Sequence, residues 1–363
     1  MVNCGEKLAF CMERAERGEE LMIGFFGGSI TQGSLASKAR YTYAYRVFQW
    51  WCRTFPEAEF HYVNGGIGGT CSCFGGARAD RDLLMYRPDV VVVDFSVNDE
   101  PEEFYQETYE GLLRRILCSP SRPAVLVLNN VYYDSGKSAQ DLHNAVAKHY
   151  GLPWVSIRDG VYREMMKGNY RREELTSDGL HPNNYGHMLV AGEIIRLLEE
   201  INQERKLGKF GQMGQDGCML PKPLTDNAYE GAVLLNIQNC RPELFGFRAD
   251  AREKLGHLDG FKNGWIGKKK GDKIRFSVEC SCMAVQYRKT VQRPAVSARL
   301  ILDGNRDEAV VLDGRFGENW GDCLYLQRVL HHGERKVHQV EIEVVDAGRE
   351  GETEFYLLGV IVA

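Results

Sequence analysis

The sequence predicts an α/β domain on a parallel sheet with helices on both faces, followed by an antiparallel β-sandwich. Three observations predict it. Over the first 200 or so residues, short apolar β-branched runs alternate with segments of helical spacing, which is the pattern of βα units. Glycine-rich breaks follow the first two of these runs, at the strand ends where open α/β sheets bind ligands. Beyond about residue 205 helical periodicity stops, and alternating runs separated by Asp-Gly turns replace it.

Each element has a local reason. Leu8, Cys11, Met12 and Ala15 stand at helical spacing in an amphipathic helix over 4–18. The run Leu21 to Phe26 is a short buried strand. Tyr43, Val47, Trp50 and Trp51 mark a helix ending near Phe55-Pro56. Phe60 to Val63 is the second strand, closed by the glycine-rich loop 64–70. Ala77 to Tyr86 reads as a helix and Val90 to Phe95 as a strand buried on both faces. Glu102 to Leu117 (helix), Ala124 to Leu128 (strand), Ser138 to His149 (helix) and Pro153 to Val155 (strand) continue the alternation. Asn183 to Asn202 is a closing helix, with Tyr185, Met188, Leu189, Ile194, Ile195, Leu197 and Leu198 expected on its inner side. Leu207 to Pro223, rich in Gly, Lys and Pro, reads as a linker. After it, Ile274, Phe276, Val278 and Cys280 alternate, as do Val340, Ile342 and Val344, and Phe355 to Val362 is a strongly apolar strand. The expected domains are 1–205 and 231–363, joined by a linker over 206–230.

Composition narrows the function. At 363 residues the prior is two domains, and a 44% hydrophobic content supports a sizeable core. A net charge of −5 gives no basic footprint for nucleic acid. No apolar run reaches the ~18 residues of a membrane span. Met1 to Lys7 lacks the pattern of a secretory leader, and eleven cysteines are an odd number in a chain too long to need a disulfide framework. Both point to a reducing, cytoplasmic setting with free thiols. The Cys71/Cys73 and Cys280/Cys282 pairs have one intervening residue, against two in zinc sites. They read as neighbours on one strand face or in a turn, and no metal is expected.

Two stretches carry chemistry. In Gly27-Gly28-Ser29-Ile30-Thr31-Gln32-Gly33, glycines swing the chain off a strand end and leave Ser29 exposed on a sharp turn. Its amide would point outward near a helix N-terminus, where negative charge is favoured. The other reading is a strand-to-helix turn whose serine is only an N-cap. In Ser177-Asp178-Gly179-Leu180-His181-Pro182, one short loop supplies an imidazole and a carboxylate three residues apart. A nucleophilic serine needs the first as base and the second to hold the base. Taken alone, Asp-x-x-His is common and reads first as a capping Asp beside a surface His; together with Ser29 and the two glycine loops the balance reverses.

These stretches, with Asn64-Gly65-Gly66-Ile67-Gly68-Gly69-Thr70 and Val97-Asn98-Asp99, stand in the order of the four blocks of the SGNH, or GDSL-like, hydrolases, and the chain resembles that family over roughly residues 20–200. The resemblance implies a flavodoxin-like three-layer α/β/α fold. It implies Ser29 as nucleophile, His181 as general base and Asp178 as its orienting partner. It also implies an oxyanion hole from the Ser29 amide, the Asn98 side chain and a glycine amide, assigned to Gly69 ahead of Gly68. No metal or organic cofactor is implied. Two positions depart from the family: Gly28 where Asp is usual and Ser96 where Gly is usual. Thr31 also breaks the Gly-x-Ser-x-Gly pattern of α/β-hydrolases.

The appended β-sandwich resembles the jelly-roll, carbohydrate-binding-type modules of two-domain bacterial carbohydrate acetylesterases. That likeness implies an acetylated oligosaccharide as substrate. The alternatives are a lipid or lysophospholipid esterase, for which no apolar lid segment is seen, and a non-catalytic carbohydrate-binding protein. In the second domain the glycine-rich loop 314–322 carries Phe316 and Trp320. Trp320 is expected either to pack beneath a long turn or to lean over the Ser29 edge and help bind the sugar, since aromatic walls beside polar groups suit ligand pockets.

Overall fold

The computed structural model describes residues 5–210, 220–346 and 353–363. Cys4 and the 211–219 part of the predicted linker lie outside the described residues. The chain forms two compact units, Met1–Glu230 and Gly231–Ala363.

The first unit is built on β1 (Leu21–Gly27), β2 (Phe60–Asn64), β3 (Val90–Asp94), β4 (Ala124–Asn129) and β5 (Trp154–Ser156). All four pairings are parallel and the order is β2-β1-β3-β4-β5, the flavodoxin-like arrangement. Alternation of side chains along β3 and β4 explains why both faces need helices. Val90, Val92, Leu126 and Leu128 enter one core with α1 (Glu6–Glu16), α3 (Tyr43–Thr54) and α9 (Asn184–Lys206). Val91, Val93, Val125 and Val127 enter the other with α4 (Ser72–Asp82), α5 (Glu103–Leu117) and α6 (Gln140–His149). Three short helices, α2 (Ser29–Gln32), α7 (Arg163–Met166) and α8 (Arg172–Leu175), complete the unit. Among the described residues, no helix is long and apolar enough to cross a membrane.

Three details differ from the sequence reading. Helix α4 begins at Ser72, not Ala77, because Gly75 and Gly76 disguise its first turns. Gly75 is needed there: a Cβ would lie 2.7 Å from the Phe95 ring. The Cys71/Cys73 pair therefore marks a helix start. Helix α9 buries His187, Val190, Ala191, Ile194, Leu198 and Ile201, and Leu189, Ile195 and Leu197 pack against the same core as expected, but Tyr185 and Met188 are exposed. Residues 220–230, linker-like in composition, are strapped onto α5. Glu110 accepts the amides of Leu224 (2.6 Å) and Thr225 (2.7 Å), Glu107 accepts that of Ala228 (2.8 Å), and Arg114 pairs with Glu230.

The second unit is a β-sandwich. One sheet joins β7 (Glu243–Phe245), β10 (Lys273–Cys280), β12 (Ser297–Leu302), β13 (Asn305–Leu312) and β15 (Lys336–Asp346). The other joins β8 (Arg248–Ala249), β9 (Trp265–Gly267), β11 (Met283–Lys289), β14 (Cys323–Leu330) and β16 (Phe355–Val362), with β6 (Val233–Leu235) on β16. Strand pairings within both sheets are antiparallel. Phe276, Val278 and Ile342 of the first sheet share a core with Val285, Tyr287 and Leu357 of the second. The alternation seen in sequence is this inward-facing set.

Candidate active site

The chain leaves β1 at Gly27 and enters α2 at once. Gly28 is the N-cap and Ser29 the first helical residue, with no side-chain capping bond, so Ser29 is not an N-cap. The amides of Gly33 and Ser34 both bond to the Ser29 carbonyl at 3.0 Å, and Gly33 ends the turn at φ 105°. Only glycine adopts that conformation readily. Ser29 is buried, 6% exposed, where the sequence reading expects an exposed residue. Its Oγ lies 2.8 Å from His181 Nε2.

The loop holding His181 is closed by a bridge between Thr176 and Pro182. Inside it, Asp178 Oδ2 lies 2.7 Å from His181 Nδ1. Asp178 Oδ1 accepts the amides of His181 (2.8 Å) and Leu180 (3.0 Å) and the Thr176 hydroxyl (3.1 Å). Partial burial works to raise the carboxyl, but the hydrogen bonds from His181 and the two amides outweigh it and hold Asp178 below the usual carboxylate range. With the carboxylate accepting at Nδ1–H, Nε2 faces Ser29 as an acceptor. Serine, imidazole and carboxylate, with Ser29 and His181 152 positions apart, thus form one hydrogen-bonded chain.

Two loops flank it, and the first, 64–70, is rich in glycine. Gly69 adopts φ 68°, and the Gly68 amide is taken by the Gln32 side chain at 2.6 Å. A Cβ on Gly68 would lie 3.7 Å from Ser29 Cβ, so this loop runs beside the serine. On the other side Asn98 follows β3. A Cβ on Gly28 would meet Asn98 Oδ1 at 2.0 Å, so glycine at this position leaves room for the Asn98 carboxamide. Ser96 ties the same turn to the next strand end, its hydroxyl donating to the Asn130 carbonyl at 2.9 Å. Both departures from the family pattern therefore have a local structural use in this chain.

Three buried polar residues around the site escape sequence reasoning. Arg78, on α4, donates to the carbonyls of Gly65 (2.6 Å) and Gly27 (3.0 Å) and lies 4.3 Å from the Phe26 ring centroid. Burial lowers its pKa to about 10, with Asp82 acting against the drop. It looks like one more surface charge in sequence; its apolar neighbours Phe74 and Ala79 are the available signal. His187 accepts the Tyr43 amide at Nδ1 (3.2 Å) and faces the Ser34 carbonyl through Nε2 (3.2 Å), steadying the turn after Ser29. Burial pushes it down to about 4, so it stays neutral. Asp94, at the end of β3, accepts Thr31 Oγ1 (3.1 Å) and Asn130 Nδ2 (2.9 Å) on one oxygen, and burial pushes it up to about 7.

Arg78→Met is expected to destabilise the first unit by about 2–5 kcal/mol, because two buried carbonyls lose a charged donor. Asp82 keeps Arg81, which limits the loss. A urea unfolding midpoint equal to wild type would contradict this role. Trp320, by contrast, is 55% exposed, so it is not packed beneath its loop. Its indole N–H donates to Glu318, and its ring meets Phe316 edge-on at 4.7 Å.

Comparison with known proteins bears on the family, the fold and the reaction class. Residues 25–189 match the model of the GDSL-like lipase/acylhydrolase family. A two-domain esterase active on acetylated mannans, solved with mannopentaose, is 44% identical, with a TM-score of 0.94 over 99% of this chain and 95% of that one. A second structure of such an esterase is 45% identical, with a TM-score of 0.95 over the same shares. An acetylxylan esterase of Geobacillus stearothermophilus is 26% identical over 210 residues, covering 49% of this chain and 93% of its own. The fold, the ordered blocks and full-length likeness at this identity lead to one conclusion: the chain belongs to the GDSL-like lipase/acylhydrolase family and is a carboxylic ester hydrolase.

Proposed function

We propose that this enzyme removes acetyl groups from acetylated oligosaccharides through an acyl-enzyme on Ser29. The single observation that carries the mechanism is the hydrogen-bonded chain from Ser29 through His181 to Asp178. His181 Nε2 takes the proton as Ser29 Oγ attacks the ester carbonyl, and returns it to the leaving sugar hydroxyl. Asp178 stabilises the imidazolium that forms. Water then attacks the acetyl carbonyl, and His181 takes its proton and passes it to Ser29 Oγ as the acyl–Oγ bond breaks and acetate leaves. The oxyanion is held by the Ser29 amide, the Asn98 carboxamide and the Gly69 amide. Gly69 is favoured over Gly68 because the Gly68 amide is already engaged by Gln32. The chain's own residues supply every step of this scheme.

The carbohydrate substrate is supported by full-length likeness to an esterase active on acetylated mannans. Mass spectrometry on acetylated mannooligosaccharides and xylooligosaccharides, beside a lysophospholipid, tests it. Loss of acetyl masses from a sugar is expected. Fatty-acid release from the lipid alone would favour the lipid reading. A cytoplasmic setting fits the free thiols of the described cysteines.

Activity is expected to fall as the pH is lowered, because a protonated His181 cannot accept from Ser29. Asp178 does not cause the first part of this loss: its carboxyl is held below the usual carboxylate range and stays ionised to lower pH. Asp94, pushed up to about 7 by burial, is a second titratable group near the site. The loss should therefore persist in Asp94→Asn. Activity that does not fall on acidification in Asp94→Asn would remove His181 from the role of base.

Trp320 is proposed as a sugar-contacting residue, supported by its exposed ring beside Phe316. Remote binding energy raises turnover of the full substrate. Trp320→Ala should thus lower kcat/KM on an acetylated oligosaccharide by about tenfold or more, and leave a small aryl acetate within about twofold. Equal losses on both would return Trp320 to a structural role.

A further inference from the structure

A second carboxylate–imidazole pair lies in the first unit, and the reaction scheme does not use it. Asp99 and His143 are both fully buried, and Asp99 Oδ2 meets His143 Nε2 at 3.0 Å. The imidazole is stacked on Tyr109, with ring centroids 3.6 Å apart and planes 5° from parallel. No described protein group meets its Nδ1. The ring is therefore clamped in one orientation, with a single polar contact.

What Asp99 does with its other oxygen gives the pair a purpose. Oδ1 accepts the Ser72 amide at 2.8 Å, at the start of α4. Ser72 is three residues beyond Gly69, and Asp99 directly follows Asn98. One carboxylate thus joins the two loops that carry Asn98 and Gly69. The turn under Asn98 is tight, with the amides of Asn98 and Asp99 both bonding to the Phe95 carbonyl at 2.9 and 3.0 Å. Helix α6 reaches the same turn a second time, through the Ala139 amide on the Ser96 carbonyl at 2.7 Å. Asn98 Oδ1 has no hydrogen-bond partner of its own, so the backbone beneath has to hold the carboxamide.

We propose that Asp99, oriented by His143, is the positioning residue that keeps Asn98 and Gly69 in register with Ser29. The proposal rests on the reading of those two residues as oxyanion donors. His143 fixes the carboxylate from α6, and the carboxylate fixes both loops. A carboxylate suits this place because it accepts from two donors in different directions, whereas a carboxamide has one accepting oxygen. Preorganised donors stabilise a developing oxyanion only if they are already placed.

A double-mutant cycle with Asn98→Ala tests this on the full-length enzyme. Turnover of an aryl acetate is expressed per active site, counted with a fluorophosphonate, and folding is followed by thermal unfolding. His143→Ala should lower kcat roughly 10- to 100-fold, with KM held within about twofold. Asp99→Asn should behave alike. His143→Gln, which can offer Asp99 an N–H from a similar place, should recover most of the loss. In the Asn98→Ala background, removing His143 should cost clearly less than in the wild type, because one of the two donors it helps to place is gone and only the Gly69 amide is left to be displaced. If His143→Ala does not fold, Asp99→Asn carries the same cycle. Additive losses in the two backgrounds, or wild-type kcat in the single variants, would overturn the proposal. Wild-type kcat in Asn98→Ala alone would instead overturn the oxyanion reading on which it rests, and that arm is read separately.

Discussion

Ser29→Ala is expected to lose about 10⁴- to 10⁶-fold in kcat, the range found when a triad nucleophile is removed. The protein should keep its fold. Ser29 makes no capping bond, and its Oγ meets His181, so the side chain contributes little to the turn. The conformation of that turn is fixed by the backbone: Gly33 at positive φ and two amides on the Ser29 carbonyl. Matched thermal unfolding curves beside the kinetic loss would separate chemistry from stability. Unchanged turnover of an aryl acetate by the variant would contradict the role given to Ser29.

Asn98→Ala is expected to lower kcat by about 10²- to 10³-fold, the usual cost of one oxyanion donor. The loss should fall on acylation, read by pre-steady-state kinetics, since the tetrahedral oxyanion forms there first. KM should change little, because the carboxamide acts on charge that develops in the transition state. An effect confined to KM would reassign Asn98 to ground-state binding. Gly28 offers an independent check. A side chain there would meet the Asn98 carboxamide, so Gly28→Ala should impair kcat in the same direction while leaving Asn98 in the chain.

The residues that meet in this site were readable because their local surroundings announce them. Glycines after an apolar run give away the Ser29 turn, and a three-residue spacing lets one loop carry both Asp178 and His181. Continuous apolar runs between helical segments reveal the parallel sheet, and residue-by-residue alternation reveals the sandwich, because two-sided and one-sided burial leave different patterns. What could not be read is the long-range polar scaffold. Arg78, Asp99, His143 and His187 have the composition of surface residues, and only folding brings them to carbonyls, amides and imidazoles far away in sequence. Helix α4 was cut short for a related reason. Gly75 weakens helical propensity locally, yet the approach of Phe95 requires it. The 220–230 strap reads as linker because its partners, Glu107 and Glu110, lie on a distant helix.

The central claim is that Ser29 becomes covalently acylated with His181 as its base. Labelling with a serine-directed fluorophosphonate, followed by peptide mapping, tests it most directly. The account predicts one adduct, on the peptide carrying Ser29, formed far more slowly in His181→Ala. An adduct on another serine, or an active enzyme that takes no label at Ser29, would contradict it.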